Sequence, residues 1–94
     1  MARLDAARRP ELTSLLQSLR ALDGLSEPSP GRFTRGHAAF LHFHASATGV
    51  VADLKAGDHW RRYPVDDPAG RRTLVRDARR VLAGRRTDLG GRPA

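Results

Sequence analysis

The sequence predicts an α+β domain in which a helix, three to four antiparallel strands in a meander and a second helix follow one another, with both helices on one sheet face. Leucines recur at helical spacing early in the chain, the hydrophobic period shortens to two in its middle, and a second helical stripe follows. A length of 94 residues suits one compact domain. We place this domain at residues 10–84, between an N-terminal arm at residues 1–9 and a disordered basic tail at residues 85–94.

The first helix is predicted over residues 10–23. Pro10 suits the first helical position, where a missing N–H costs nothing, and Gly24 suits a left-handed C-terminal cap. The leucines between them recur three and four residues apart, so they form one continuous buried stripe. These leucines are Leu12, Leu15, Leu16, Leu19 and Leu22.

The middle of the chain is predicted to form the sheet. Residues 26–31 contain two prolines and are expected to be a loop, and a short strand over Arg32–Arg35 would make the meander four-stranded. Pro64 has no N–H to donate, so the last strand is expected to lie at a sheet edge or to end there. Three runs that alternate between apolar and polar residues carry the other strands. They cover residues 38–45, 50–55 and 59–65.

The second helix has a start signal, a stop signal and an apolar stripe. Asp67 is a candidate N-cap, Pro68 fits the first helical turn, and Gly84 marks the end. Apolar residues at helical spacing between these signals are expected to face the core. They are Leu74, Val75, Ala78, Val81 and Leu82.

The strand registers follow from the side-chain parity, because a slip of one residue would exchange the two faces of the sheet. A four-residue turn at 46–49 and a two-residue turn at 57–58 predict three cross-strand rows on one face. The rows are Phe40–Lys55–Trp60, His42–Asp53–Arg62 and His44–Val51–Pro64. The opposite face is expected to lie under the helices and carries Ala39, Leu41, Phe43, Val50, Ala52, Leu54, Tyr63 and Val65.

The face with the three rows mixes aromatic and charged residues, a combination typical of a binding surface. We therefore expect a small binding or interaction domain without enzymatic activity, which forms a homodimer through this face. The residues expected to carry the interaction are Phe40, His42, His44, Val51, Asp53, Lys55, Trp60 and Arg62.

The same face holds an alternative, a metal or small-ligand site. His42 and His44 lie two residues apart on one strand face, and Asp53 opposite His42 would complete a set of two imidazoles and one carboxylate. An ordinary cross-strand ion pair among these residues explains the same pattern. The sequence has no cysteine and no phosphate-binding loop, nucleophile elbow or zinc-protease motif, so we predict neither catalytic residues nor a cofactor.

A second alternative is a nucleic-acid-binding module that uses the second helix. Seventeen Lys and Arg against ten Asp and Glu give a net charge of +7, which attracts polyanions. A solvated helix face explains the arginines equally, because cations are favoured near a helix C-terminus. The outward stripe consists of Arg72, Arg76, Arg79 and Arg80.

Apolar residues form no run longer than four in this sequence. Such runs are too short for a membrane span or for the apolar core of a signal peptide. We therefore predict a cytoplasmic protein without a membrane partner.

Overall fold

The computed structural model describes residues 10–47 and 49–84, so the predicted N-terminal arm and basic tail lie outside the described residues. Two helices and a five-stranded antiparallel sheet confirm the α+β class. Strand order in the sheet follows the sequence, as a meander requires. The elements are α1 Pro10–Arg20, β1 Ser26–Ser29, β2 Arg32–Arg35, β3 Ala38–Ser46, β4 Gly49–Ala56, β5 His59–Pro64 and α2 Pro68–Ala83.

Helix α1 buries the predicted leucine stripe but ends three residues early. Its four leucines from Leu12 to Leu19 are buried, whereas Leu22 is only partly buried. The Leu22 N–H donates to the Leu19 carbonyl at 3.1 Å, and this three-residue spacing tightens the last turn beyond the helix. Gly24 has a φ of +95°, which confirms the left-handed position that its sequence context predicts.

The prediction of a loop at residues 26–31 is wrong, because Ser26–Ser29 forms strand β1. This strand pairs only with β2 and lies at the sheet edge, where a proline such as Pro28 can be accommodated without breaking a two-sided ladder. Glu27 anchors it by accepting from the Arg20 side chain and from the Gly31 N–H, both at 3.0 Å. With the short β2 also present, the sheet has five strands rather than three or four.

A β-bulge at Phe40 alters one predicted face assignment. Phe33 pairs with Leu41 and Thr34 pairs with Ala39, so Phe40 has no partner in the β2–β3 ladder. The extra residue interrupts the alternation, and Phe40 and Leu41 are both in the core while Ala39 is exposed. The predicted row Phe40–Lys55–Trp60 therefore loses its first member, and the placement of Ala39 under the helices is also wrong.

The other predicted registers are confirmed. Strand β5 lies at the second edge of the sheet and ends at Pro64, as the missing N–H of that residue predicts. Because every pair from β3 to β5 keeps the predicted parity, Asp53 shares one face with Arg62 and Leu54 lies on the other. The confirmed pairs are His42–Asp53, His44–Val51, Lys55–Trp60, Asp53–Arg62 and Val51–Pro64.

The apolar residues of the two helices and of the sheet form one core cluster. Helix α2 begins at its predicted N-cap, where the Asp67 side chain accepts from the Ala69 N–H at 3.4 Å. It ends at Gly84, whose N–H donates to the Arg80 carbonyl at 2.9 Å. Of its predicted stripe, Leu74, Ala78 and Val81 are buried, and Val75 and Leu82 are partly buried.

The first turn of α2 lies very close to the end of β5. A Cβ added at Gly70 would be 1.9 Å from the Pro64 carbonyl oxygen, so only glycine allows this approach. The contact fixes the start of α2 against the strand that carries Arg62 and Tyr63.

Candidate functional site

Strands β3, β4 and β5 bring one set of polar and aromatic side chains together, and we call this surface the histidine face. Alternation along each strand directs these side chains away from the core residues of the same strands. Asp53 is the buried member, and the others are half-buried or exposed. The histidine face consists of His42, His44, Val51, Asp53, Lys55, Trp60 and Arg62.

Asp53 is the centre of the hydrogen bonding on the histidine face. Its side chain is only 12% exposed and accepts two hydrogen bonds from Arg62, Nε to Oδ1 at 2.9 Å and Nη2 to Oδ2 at 3.1 Å. This bidentate pair holds the pKa of Asp53 down at about 2, with a further hydrogen bond from His44 acting in the same direction and burial opposing both. Asp53 therefore carries a negative charge over the physiological pH range.

The two histidines differ in their contacts. Although His42 is directly across from Asp53, its Nε2 is 3.9 Å from Oδ2, whereas His44 reaches the same oxygen diagonally at 3.0 Å. The His42 ring lies instead beside Trp60, with 5.1 Å between ring centroids. The register predicted from the sequence is correct, and the shorter contact with the carboxylate comes from His44 rather than from His42.

His42, His44 and Asp53 can supply a metal with one ligand atom each, and these atoms lie within 4.8 Å of one another. Two ligands of a tetrahedral zinc ion lie about 3.3 Å apart at ordinary bond lengths, and the two histidine–aspartate distances bracket that value. Arg62 competes for the carboxylate, and its Nη2 is 3.4 Å from the His44 Nε2. A metal would have to displace this arginine, whose side chain is 60% exposed and therefore has room to move.

The apolar part of the histidine face is smaller than the sequence predicts. Phe40 is in the core at 3% exposure, and Val51 is half-buried. Trp60, 42% exposed, is the one large apolar side chain that is exposed within residues 10–47 and 49–84. The Lys55 Nζ lies 5.3 Å from the Trp60 ring centroid, so these two paired residues make a cation–π contact.

Sequence analysis missed a buried polar pair between β5 and α2. The Tyr63 hydroxyl donates to Asp77 Oδ2 at 2.8 Å, and Asp77 is 2% exposed. Burial raises the pKa of Tyr63 above its ordinary range, and the negative charge of Asp77 raises it further. The burial of Asp77 could have been predicted from helical spacing, because Asp77 lies three residues after Leu74 and four before Val81 and so shares their helix face.

A groove of about 370 Å³ lies between α1 and α2, and we call it the helix groove. Three of the four arginines in the predicted basic stripe line it, and Arg80 does not. The α2 side of the groove therefore concentrates positive charge. Its lining residues are Glu11, Ser14, Leu15 and Ser18 from α1 and Arg71, Arg72, Val75, Arg76 and Arg79 from α2.

In the part of the chain that the structure describes, neither helix is long and apolar enough to cross a membrane. His37 and His59 are not part of the cluster of possible metal ligands found among these residues. Comparison with protein-family models, with curated proteins and with solved structures found no match to this chain.

Proposed function

We propose that this chain is a small, non-enzymatic binding domain that self-associates through the histidine face, with both helices covering the opposite side of the sheet. The exposure of Trp60 carries the proposal. It is supported by the single core cluster, to which the helices and the opposite sheet face contribute. A tryptophan exposed among charged groups is typical of the centre of an interface.

A two-fold dimer would use the same surface of each copy, so each contact made by Trp60 occurs twice. Removing a large apolar side chain from water stabilises by about 1.5–3 kcal/mol. Asp53 and Arg62 satisfy one another within one copy, so their burial at an interface needs no new ionic partner. With Phe40 in the core, the apolar area is modest, and we expect a reversible dimer rather than an obligate one.

Sedimentation velocity over a range of concentrations tests this proposal. The wild-type chain is expected to form a dimer at micromolar concentration, and Trp60→Ala is expected to shift it to monomer. His59→Ala is the matched control, because His59 is the exposed neighbour of Trp60 and lies outside the histidine face. A wild-type chain that stays monomeric at millimolar concentration would contradict self-association.

We propose metal binding at His42, His44 and Asp53 as the second candidate function. It is carried by the three ligand atoms within 4.8 Å of one another. Two imidazoles and one carboxylate suit a divalent transition ion such as Zn²⁺, Co²⁺ or Ni²⁺ and leave positions for a further ligand. That further ligand would come from a small molecule or from a second copy of the chain.

Titration of the metal-free chain with Zn²⁺, followed by calorimetry, tests the metal site. One ion per chain is expected to bind, and His44→Ala or Asp53→Asn is expected to abolish binding. Arg62→Gln is expected to tighten binding, because it removes a cation that competes for the Asp53 carboxylate. His37→Ala is the control for a histidine outside the cluster. Binding that survives Asp53→Asn would exclude this site.

A further inference from the structure

The helix groove has the size and lining of a small-molecule site. Its volume of about 370 Å³ falls within the range of ligand pockets. Leu15 is buried and Val75 half-buried at its base, while Ser14 and Ser18 offer hydroxyl groups from α1 one helical turn apart. An apolar base with a few polar groups around it is typical of a site for a ligand that has both apolar and polar parts.

Two of the arginines that line the groove are held in place by the fold. Arg76 donates from Nε to Asp77 Oδ1 at 3.0 Å, and its Nη2 lies 2.9 Å from the same oxygen. Asp77 is itself fixed by the buried hydrogen bond from Tyr63. Arg71 donates from Nη1 to the Val65 carbonyl at 2.9 Å. These contacts orient both guanidinium groups before any ligand arrives.

The other two arginines have no such partner. Within residues 10–47 and 49–84, no carboxylate makes an ion pair with Arg72 or Arg79, and both side chains are exposed. They lie seven residues apart in α2 and share one helix face with Arg76. Asp77 is engaged by Arg76 and Tyr63, and the groove is lined by four arginines against one carboxylate, Glu11, so its positive charge is in excess and favours an anion.

We propose that the helix groove binds a small organic phosphate of nucleotide size. Arg72 and Arg79 hold its phosphate group, because the planar guanidinium matches phosphate oxygens in paired hydrogen bonds. Arg76, whose Nε and Nη2 are bound to Asp77, adds positive charge beside them. Leu15 and Val75 support the apolar part of the ligand. This site is separate from the histidine face and does not depend on self-association.

The position of Arg80 separates this ligand from a nucleic-acid duplex. Arg80 is exposed on α2 but does not line the groove. A duplex that follows the basic stripe by charge would use Arg80 as it uses Arg79. A small phosphate inside the groove would contact Arg79 and leave Arg80 in solvent. The single variants Arg79→Gln and Arg80→Gln therefore each remove one positive charge from α2, the first inside the groove and the second outside it.

Calorimetric titration of the full chain with adenosine monophosphate, inorganic phosphate and adenosine tests the proposal. Adenosine monophosphate is expected to bind more tightly than either of the other two. Arg79→Gln is expected to weaken it by roughly tenfold or more, the loss of one charge-assisted bond, and Arg80→Gln by less than about twofold. Ser18→Trp, which fills the groove and keeps every charge, is expected to abolish binding. Thermal unfolding confirms that each variant is folded.

Three results would overturn the proposal. The first is adenosine monophosphate that binds no better than inorganic phosphate. The second is an equal effect of Arg79→Gln and Arg80→Gln, which would mean that general charge attraction is responsible. The third is salt-dependent binding of duplex DNA that withstands Ser18→Trp and is tighter than binding of the mononucleotide, which would assign the basic stripe to nucleic acid.

Discussion

The histidine face and the helix groove both contain arginines, and they differ in the carboxylates available to those arginines. Arg62 is bonded at two points to the buried Asp53, whereas Arg72 and Arg79 have no ionic partner among the described residues. Arginine therefore has two roles in this chain. Arg62 binds a carboxylate on the neighbouring strand, whereas the charges of Arg72 and Arg79 are exposed to solvent, where an anion can reach them.

Asp77 connects the helix groove to strand β5. It accepts from Tyr63, the residue after Arg62 on β5, and it fixes Arg76 in the groove. A carboxylate with this position stabilises the attachment of α2 to the sheet and orients part of the groove. Variants at Asp77 therefore affect the groove and the contact between α2 and the sheet.

Asp77→Ala is expected to give the largest loss of stability. The substitution leaves the buried Tyr63 hydroxyl without an acceptor, which costs about 1–3 kcal/mol, and frees Arg76. Urea unfolding followed by circular dichroism measures the change. The double variant Asp77→Ala with Tyr63→Phe is the control and is expected to lose less stability than Asp77→Ala alone, because it removes both the acceptor and the hydroxyl that needs it. A larger loss for the double variant than for Asp77→Ala would show that the unpaired hydroxyl is not the cause of the loss.

Acid is expected to weaken the histidine face and leave the groove arginines unaffected. The pKa of Asp53 is lowered from 3.8 to about 2 in the folded chain. A lowered pKa means that the contribution to stability is complete above pH 3.8 and is lost as the pH falls towards 2. Asp53→Asn is expected to flatten this part of the stability profile. Because Arg20 also lowers the pKa of Glu27, Glu27→Gln serves as the comparison variant.

Arg62→Gln and Arg79→Gln test the difference between the two regions directly. Loss of Arg62 is expected to lower the free energy of unfolding, because it leaves the buried Asp53 carboxylate without its bidentate partner. Loss of Arg79 is expected to change it by less than about 0.5 kcal/mol. Thermal unfolding at low and high salt measures both changes. Equal losses of stability for the two variants would show that the arginines of the two regions do not differ in their contribution to the fold.

Trp60→Ala is expected to have the smallest effect on the stability of the monomer. The side chain is exposed and contacts Lys55 and His42 only at the surface. The expected change is within about 0.5 kcal/mol under dilute conditions. Chemical unfolding at two protein concentrations measures it, and a concentration-dependent midpoint in the wild type alone would assign the role of Trp60 to association.

Parity was sufficient to predict the registers of β3, β4 and β5, because only one pairing keeps the apolar residues together. The turn predicted at 46–49 is shorter than expected, since Ser46 pairs with Gly49, and the register is the same. The ends of α2 were also predicted, because Asp67, Pro68 and Gly84 act on the backbone next to them. These features depend on residues close together in the sequence.

The errors have a different physical origin. The bulge at Phe40 depends on the pairing of β3 with β2, whose register shifts by one residue between Phe33 and Thr34. The alternation of residues along β3 alone does not reveal this shift. Strand β1 forms around Pro28 because β2 supplies its partner. The contact of Asp53 with His44 rather than His42 depends on side-chain reach across the diagonal, which the register alone leaves open.

Prolines at both margins of the sheet limit how copies of this chain can aggregate. Pro28 lies in β1 and Pro64 ends β5, so each outermost strand lacks one backbone donor. Strand β5 adds two adjacent cations, Arg61 and Arg62, which would meet their own like charges if two copies met edge to edge. Growth by strand addition, the route to fibrils, is therefore opposed at both ends of the sheet. High concentrations of the folded chain should favour contacts through faces and leave the margins unpaired.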